Sequence, residues 1–208
     1  MSNGEVFTDI AAKYDRINAI LSMGRDQAWR KRVIDRLPAG RILDLGGGTG
    51  AANPGFGSRS VVALDPSPQM LGLNDAAARV VAVGERLPFA DETFDAVFSA
   101  YVVRNLDSLD ATLAEIARVL RPGGKAGLVD LGRPRNRWAA AAHRAGSAVV
   151  LPTVGSLAGA RDEYTYLHRS LDRLPAAELL YADGPLELED IWRMGSLGFV
   201  YAVILRRR

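Results

Sequence analysis

Cysteine is absent from the 208 residues, which removes disulfides, thiolate metal sites and cysteine nucleophiles together. Lysine is almost absent as well. Lys13, Lys31 and Lys125 are the only ones, so arginine carries the basic charge. Net charge is only +2 and the arginines are dispersed, which favours a solvated arginine-rich surface over a face that follows a phosphate backbone. The N-terminus lacks the basic and apolar regions of a secretory signal. The most apolar later stretch, Trp138 to Ala160, is interrupted by His143, Arg144 and Pro152 and does not read as a bilayer span. The expectation is a cytoplasmic protein with no nucleic-acid partner and no metal site.

What is present is enough for one core. With 48% hydrophobic residues and a mean hydropathy near zero, residues 1–208 read as a single domain, too short for two. Its centre is Arg41-Ile-Leu-Asp-Leu-Gly-Gly-Gly-Thr-Gly50, a short apolar run that stops at Gly46, Gly48 and Gly50. A buried strand enters a turn in this way when its backbone must approach a ligand closely. About twenty residues on, Asp65 ends a second apolar run, Val61-Val62-Ala63-Leu64. Glycines after one strand and an acid at the end of the next form a cradle for an adenosine-containing cofactor, the carboxylate accepting from the ribose hydroxyls.

The remaining pattern predicts strands at 41–45, 60–65, 79–83, 94–99 and 125–131, with helical stretches at 67–78 and 107–120. Strands alternating with helices argue a parallel sheet covered on both faces. Ala51 to Gly57 carries one proline and two glycines, so the first crossover helix must be very short or absent. Leu120-Arg121-Pro122-Gly123-Gly124-Lys125 reads as a helix stop, a turn and a strand start. Leu186 to Trp192 and Leu197 to Leu205, joined through Met194-Gly195-Ser196, read as an antiparallel hairpin that brings the total to seven strands. Residues just past the carboxyl end of a parallel strand line the ligand crevice, which draws attention to Ser99, Tyr101, Arg104 and Asn105. Residues 1–38 read as an N-terminal helical cap, in which Tyr14, Asp15 and Asn18 fall within about one turn and either cap helices or face a cleft.

The glycine loop alone leaves the cofactor open, since Gly46-x-Gly48-x-x-Ala51 also fits the dinucleotide fingerprint. Asp44 inside the preceding strand, the run Leu64-Asp65-Pro66-Ser67-Pro68-Gln69-Met70-Leu71 and the closing hairpin favour S-adenosylmethionine. Leu43 to Gly50 resembles motif I of class I methyltransferases, and the run at Asp65 resembles their ribose motif. Tyr14-Asp15-Arg16-Ile17-Asn18-Ala19-Ile20-Leu21-Ser22-Met23-Gly24, ending in Trp29, resembles the N-terminal signature of the ubiquinone/menaquinone biosynthesis C-methyltransferases. Leu87-Pro88-Phe89, Val103-Arg104-Asn105, Arg118 to Gly124, Leu151-Pro152 through Gly159, and Tyr164-Thr165-Tyr166-Leu167 with Ser170 follow in that family's order. The sequence departs from the pattern where Val83 stands in place of a carboxylate before the Leu-Pro-Phe turn, with Glu85 a candidate substitute, and where Asp130 stands in place of glutamate.

The resemblance implies a Rossmann-like α/β fold: a seven-stranded, mostly parallel sheet with an antiparallel last strand, the N-terminal cap, and a helical lid insertion at 132–183. It implies a cofactor site from Asp44, Gly46, Gly48, Gly50, Asp65, Pro66, Met70, Glu85, Arg86 and Ser99. The implied reaction is methyl transfer to a ring carbon of a lipophilic quinol, with possible membrane-surface contact through the lid. Arg104 and Asn105 would hold the developing phenolate, and Tyr164 and Tyr166 would contact the quinol. His168 is a candidate base, and Tyr14, Asp15 and Asn18 would close the substrate site. A methyltransferase acting on another small molecule and a non-catalytic cofactor-binding relative remain alternatives. Nucleic-acid methylation is disfavoured: no Asn/Asp-Pro-Pro-Tyr/Phe motif follows the fourth strand, and no cysteine serves the covalent route to a pyrimidine carbon.

Overall fold

Alternation along the first strand divides the molecule into two cores. Ile42 faces one side of the sheet with Ala96 and Phe98, whereas Leu43 and Leu45 face the other with Val62, Leu64 and Val97. The computed structural model describes residues 22, 24–158, 171, 172 and 175–208. Seven strands form one sheet: β1 (Arg41–Leu45), β2 (Ser60–Asp65), β3 (Ala78–Val81), β4 (Phe94–Ala100), β5 (Leu120–Leu131), β6 (Glu187–Met194) and β7 (Val200–Arg206). Their order is β3-β2-β1-β4-β5-β7-β6. β1 to β5 are mutually parallel, and β7 runs antiparallel to both β5 and β6. The strand order reverses between β1 and β4, and a crevice opens beyond the carboxyl ends of strands at such a point.

On one face α1 (Asp26–Ile34) and the single turn α2 (Asn53–Phe56) bury Val33, Ile34 and Phe56 against Ile42 and Phe98. On the other, α4 (Leu109–Val119) buries Leu113, Ile116 and Val119 at helical spacing against β1, β4 and β5. Ser108 starts α4 by accepting a hydrogen bond from the Ala111 amide at 3.2 Å. Ser67 does the same for α3 (Pro68–Gly72) through the Met70 amide, with Pro68 in the first turn. Two further helices, α5 (Arg137–Ala158) and α6 (Ala177–Leu180), fall within 132–183.

α2 fulfils the expectation of a very short first crossover helix. The helix expected over 67–78 ends at Gly72 instead, because Leu73, Asn74 and the residues after them turn back toward the glycine loop. β3 begins at Ala78 and stops at Val81, short of the expected 83. β5 starts at Leu120, which pairs with Phe94 before the register slips and Lys125 pairs with Ala96. Gly123 takes a φ of 76° within that slip, where a side chain would be strained. The hairpin is shifted along the chain from its expected limits: β6 runs on to Met194, which the pattern placed in the turn, and β7 starts only at Val200, with Met194 opposite Val200 and Glu187 opposite Arg206.

Candidate cofactor site and active centre

The site is built from the ends of β1, β2 and β4. Beyond Leu45 the amides of Gly46 and Gly47 both donate to the Leu64 carbonyl, at 2.8 and 3.0 Å, so the glycine loop folds over the end of β2. Gly48 then donates to Asp65 Oδ2 at 3.1 Å, while Ser67 donates to Oδ1 at 2.9 Å. Burial raises the Asp65 carboxyl from its ordinary range, and these two amides oppose the shift by favouring the charged form. The carboxylate is thereby held in place at the rim of the loop. Pro66 is exposed beside it and Met70 is buried, its methyl 3.3 Å from where a Cβ on Gly48 would sit. A Cβ on Gly46 would stand 2.2 Å from a Val102 methyl, so the absence of a side chain there is a packing requirement.

Asn74, 2% exposed, locks the loop from outside. Its Nδ2 donates to the carbonyls of Gly47 and Gly48 at 3.3 and 3.1 Å, and its Oδ1 accepts from Asn53 at 3.0 Å and from the Ala76 amide at 2.9 Å. With α2 only one turn long, this side chain supplies the support that a longer crossover helix would give. The sequence pattern did not single it out, because it fell inside the stretch expected to be helical.

Asp44 lies beneath the loop on the α1 face of the sheet, 2% exposed, and its Oδ2 has no hydrogen-bond partner. Burial pushes its carboxyl up to about 7, while Arg30 lowers it and Asp65 raises it further. A buried carboxylate oxygen without a donor is costly unless a cation completes it. Such a vacancy in the hydrogen bonding fits an ammonium group.

At the end of β4 the expected residues separate into two groups. Ser99 is buried and donates to the Leu45 carbonyl at 2.8 Å, tying β4 to β1 under the loop. Tyr101 takes a φ of 64°, and its amide reaches across to the Val129 carbonyl at 2.8 Å. A non-glycine residue in that region is strained and marks a sharp change of direction at the strand end. Arg104 and Asn105 follow on the short 3-10 turn Val103–Asn105. Asp130, fully buried at the end of β5, accepts from Arg104 at 2.6 Å and from the amides of Val103 and Leu131 at 2.8 and 2.6 Å. Burial raises the Asp130 carboxyl, and the Arg104 guanidinium opposes that. Asp130 therefore fixes both the turn and the arginine upon it. Glu85 is set apart, its Oε1 accepting from the amides of Asp107 and Ser108 ahead of α4. Arg86 and Val83 are exposed. Tyr14, Asp15, Asn18, Tyr164, Tyr166 and His168 lie outside the described residues. No cluster of His, Cys, Asp and Glu able to hold a metal occurs among the described residues.

In α5 the residues 139, 143, 147 and 151 turn inward at a spacing of four. His143 stacks on Phe199 with centroids 5.1 Å apart, and Arg133 bonds to Ser147 at 3.0 Å. Trp138, Val149 and Val150 are exposed. Among the described residues no helix is long and apolar enough to cross a membrane.

Comparison with known proteins gives a consistent picture. A model of the ubiE/COQ5 methyltransferase family matches residues 2–182. A ubiquinone/menaquinone biosynthesis C-methyltransferase of Hahella chejuensis is 36% identical over 195 residues, which cover 85% of this chain and 78% of that one. A demethylmenaquinone methyltransferase of Corynebacterium urealyticum is 36% identical over 183 residues, covering 84% and 80%. Among solved structures, a SAM-dependent methyltransferase of Thermotoga maritima superposes with a TM-score of 0.67 at 14% identity, over 99% of this chain and 100% of that one. A geranyl diphosphate methyltransferase superposes with a TM-score of 0.57 at 18% identity, over 87% and 77%. At these identities the superpositions speak to the fold.

Proposed function

The chain belongs to the ubiE/COQ5 methyltransferase family, and from this premise we propose that it methylates a ring carbon of a demethylated prenyl quinol with S-adenosylmethionine. The observation that carries the reading is the identity of 36% to relatives named for quinone methylation, sustained over some four fifths of both chains. The site is consistent with it. The loop from Gly46 to Gly50 is braced by Leu64, Asp65 and Asn74 in one conformation beside the strand ends, Asp65 stands at its rim where ribose hydroxyls would lie, and the unpartnered oxygen of Asp44 fits the ammonium of the methionine part. Glu85 keeps one oxygen on backbone amides, so only its other oxygen is left for the adenine amine.

S-adenosylmethionine supplies, when bound, an electrophilic methyl group on a positively charged sulfur that leaves without acid assistance. The protein has to align the acceptor carbon, exclude water and ease the loss of one phenolic proton. Arg104 is suited to the last task. Its guanidinium, 7% exposed, is pre-organised by Asp130 just past the end of β4, where a cationic donor would stabilise a developing phenolate. Asn105 stands next to it on the same turn and orients the ring oxygen. The family resemblance alone assigns Tyr164 and Tyr166 to the quinol, His168 to the proton, and Tyr14, Asp15 and Asn18 to the substrate, all six lying outside the described residues. The described helices of the insertion, α5 and α6, are assigned to a cover for the prenyl tail. The exposed Trp138, Val149 and Val150 of α5 support brief contact with a membrane surface, from which a lipophilic substrate would be drawn.

Incubation with S-adenosylmethionine and demethylated quinols of several prenyl lengths tests the reading, with a singly methylated product expected by mass spectrometry. The exposure of Val83, 47% at a position where the family has a carboxylate, favours a second reading in which another small molecule is the acceptor. Tight cofactor binding without turnover of any quinol would select that one.

A further inference from the structure

A cavity of about 160 Å³ lies past the end of β5, on the side of the sheet away from the glycine loop. Leu131 and Tyr201 of the sheet line it from one side, and Leu171, Ala177 and Leu180 of the insertion line it from the other. Tyr201 stands opposite Asp130 in the ladder between β5 and β7, and Asp130 is the residue that holds Arg104. The cavity therefore adjoins the acceptor side of the site.

Its walls offer little to a charged ligand. Arg193 donates to both carboxylate oxygens of Glu178, at 3.1 and 2.9 Å, and to the carbonyls of Arg133 and Gly198, at 2.8 and 3.1 Å. Arg133 is engaged by Asp172 and Ser147, and the Tyr201 hydroxyl meets that of Tyr181 at 3.3 Å. Among the described residues, none of the buried polar atoms that lack a hydrogen-bond partner belongs to this wall. Arg193 also acts as a strut. Glu178 belongs to α6, Gly198 to the hairpin turn and Arg133 to the chain leaving β5, so one guanidinium fixes three segments around the space.

Protein interiors leave few voids larger than a water molecule, and an apolar cavity of about 150 Å³ stays dry and takes up a ligand the size of benzene. Sites that enclose a whole drug-sized ligand start at roughly 300 Å³. The space suits a short branched hydrocarbon segment and is too small for a quinol with its tail. We propose that this cavity receives the head of the substrate's prenyl tail, about one or two isoprene units, so that the enzyme reads the presence of a tail and not its length. This inference rests on the quinol reading above. Ala177 and Leu180 are then the residues that set the limit. The buried Ala177 contributes a single methyl where a larger side chain would fill the space.

The test is steady-state kinetics of the full chain on demethylated quinols bearing zero, one, two and four isoprene units. In the wild type, kcat/KM is expected to rise roughly tenfold or more between the unprenylated and the two-unit quinol, as burial of a hydrocarbon segment implies, and to level off beyond it. Ala177→Phe should bring the ratio of kcat/KM between those two substrates close to one. Leu180→Ala, which enlarges the space, should move the levelling point to a longer tail. A wild-type rate indifferent to the tail, or one that climbs steadily through four units, overturns the inference, as does an Ala177→Phe enzyme with the wild-type ratio. Should that variant not fold, Leu180→Ala decides, and a levelling point that stays in place refutes the assignment. Turnover of no quinol at all would remove the functional reading itself, an outcome distinct from turnover that ignores the tail.

Discussion

Asp44 is buried at a cost to the fold, with one carboxylate oxygen left without a donor. Its carboxyl sits at about 7 in the folded chain against 3.8 for an ordinary aspartate. A carboxyl with a raised pKa binds its proton more tightly when folded, so its contribution to stability is complete below the ordinary value and is lost as pH rises toward 7. Asp44→Asn, which cannot ionise, is therefore expected to melt a few degrees higher than the wild type at pH 8 without ligand, the gain disappearing toward pH 4. The same variant should bind S-adenosylhomocysteine at least tenfold more weakly. A wild-type affinity in calorimetry would show that the carboxylate does not meet the ammonium. Asp44 and Asp65 were both legible in the sequence, since an acid before and an acid after a glycine loop form a recognisable spacing. Arg30 was not. In sequence it is one of several basic residues on an amphipathic helix, and its burial over Tyr101 comes from the packing of α1 on the end of β4.

The glycine loop depends on an element distant in sequence. β1 and β2 match their expected limits, 41–45 and 60–65, because each is an apolar run with a decisive stop, a glycine in one case and Asp65 with Pro66 in the other. α3 was overextended because the residues after Gly72 carry no strong breaker, and helical propensity is a weak prior against tertiary hydrogen bonds. Those bonds belong to Asn74, which joins the end of α3 to the carbonyls of Gly47 and Gly48. Asn74→Ala would leave buried acceptors unsatisfied and is expected to lower stability by about 1–3 kcal/mol in urea denaturation. It should also weaken S-adenosylhomocysteine binding several-fold, since the loop loses its outer support. A variant with unchanged affinity and stability would show that the one-turn α2 suffices to hold the loop.

For the whole molecule, the order β3-β2-β1-β4-β5-β7-β6 puts the reversal point at β1 and β4, and both halves of the site meet there. The apolar side of α5 raises a question at the same scale. Trp138 is 71% exposed, so Trp138→Asp should leave the melting temperature unchanged. If this face meets a membrane, the variant should lose several-fold activity on quinol embedded in anionic vesicles and keep full activity on a short-chain quinol in solution. Equal activity on both substrates would exclude the membrane role. The sequence by itself determined the strand count, the glycine loop, the acid that ends β2 and the family, because each is written in local pattern or in ordered motifs along the chain. Only the tertiary structure decided that Asp130 pins Arg104, that Asn74 braces the loop, and that Arg30 and Asp44 are each buried with one polar atom that has no hydrogen-bond partner. The first two pairings join residues 26 or 27 positions apart through side chains, and no periodicity along a chain records which side chains will share a buried space.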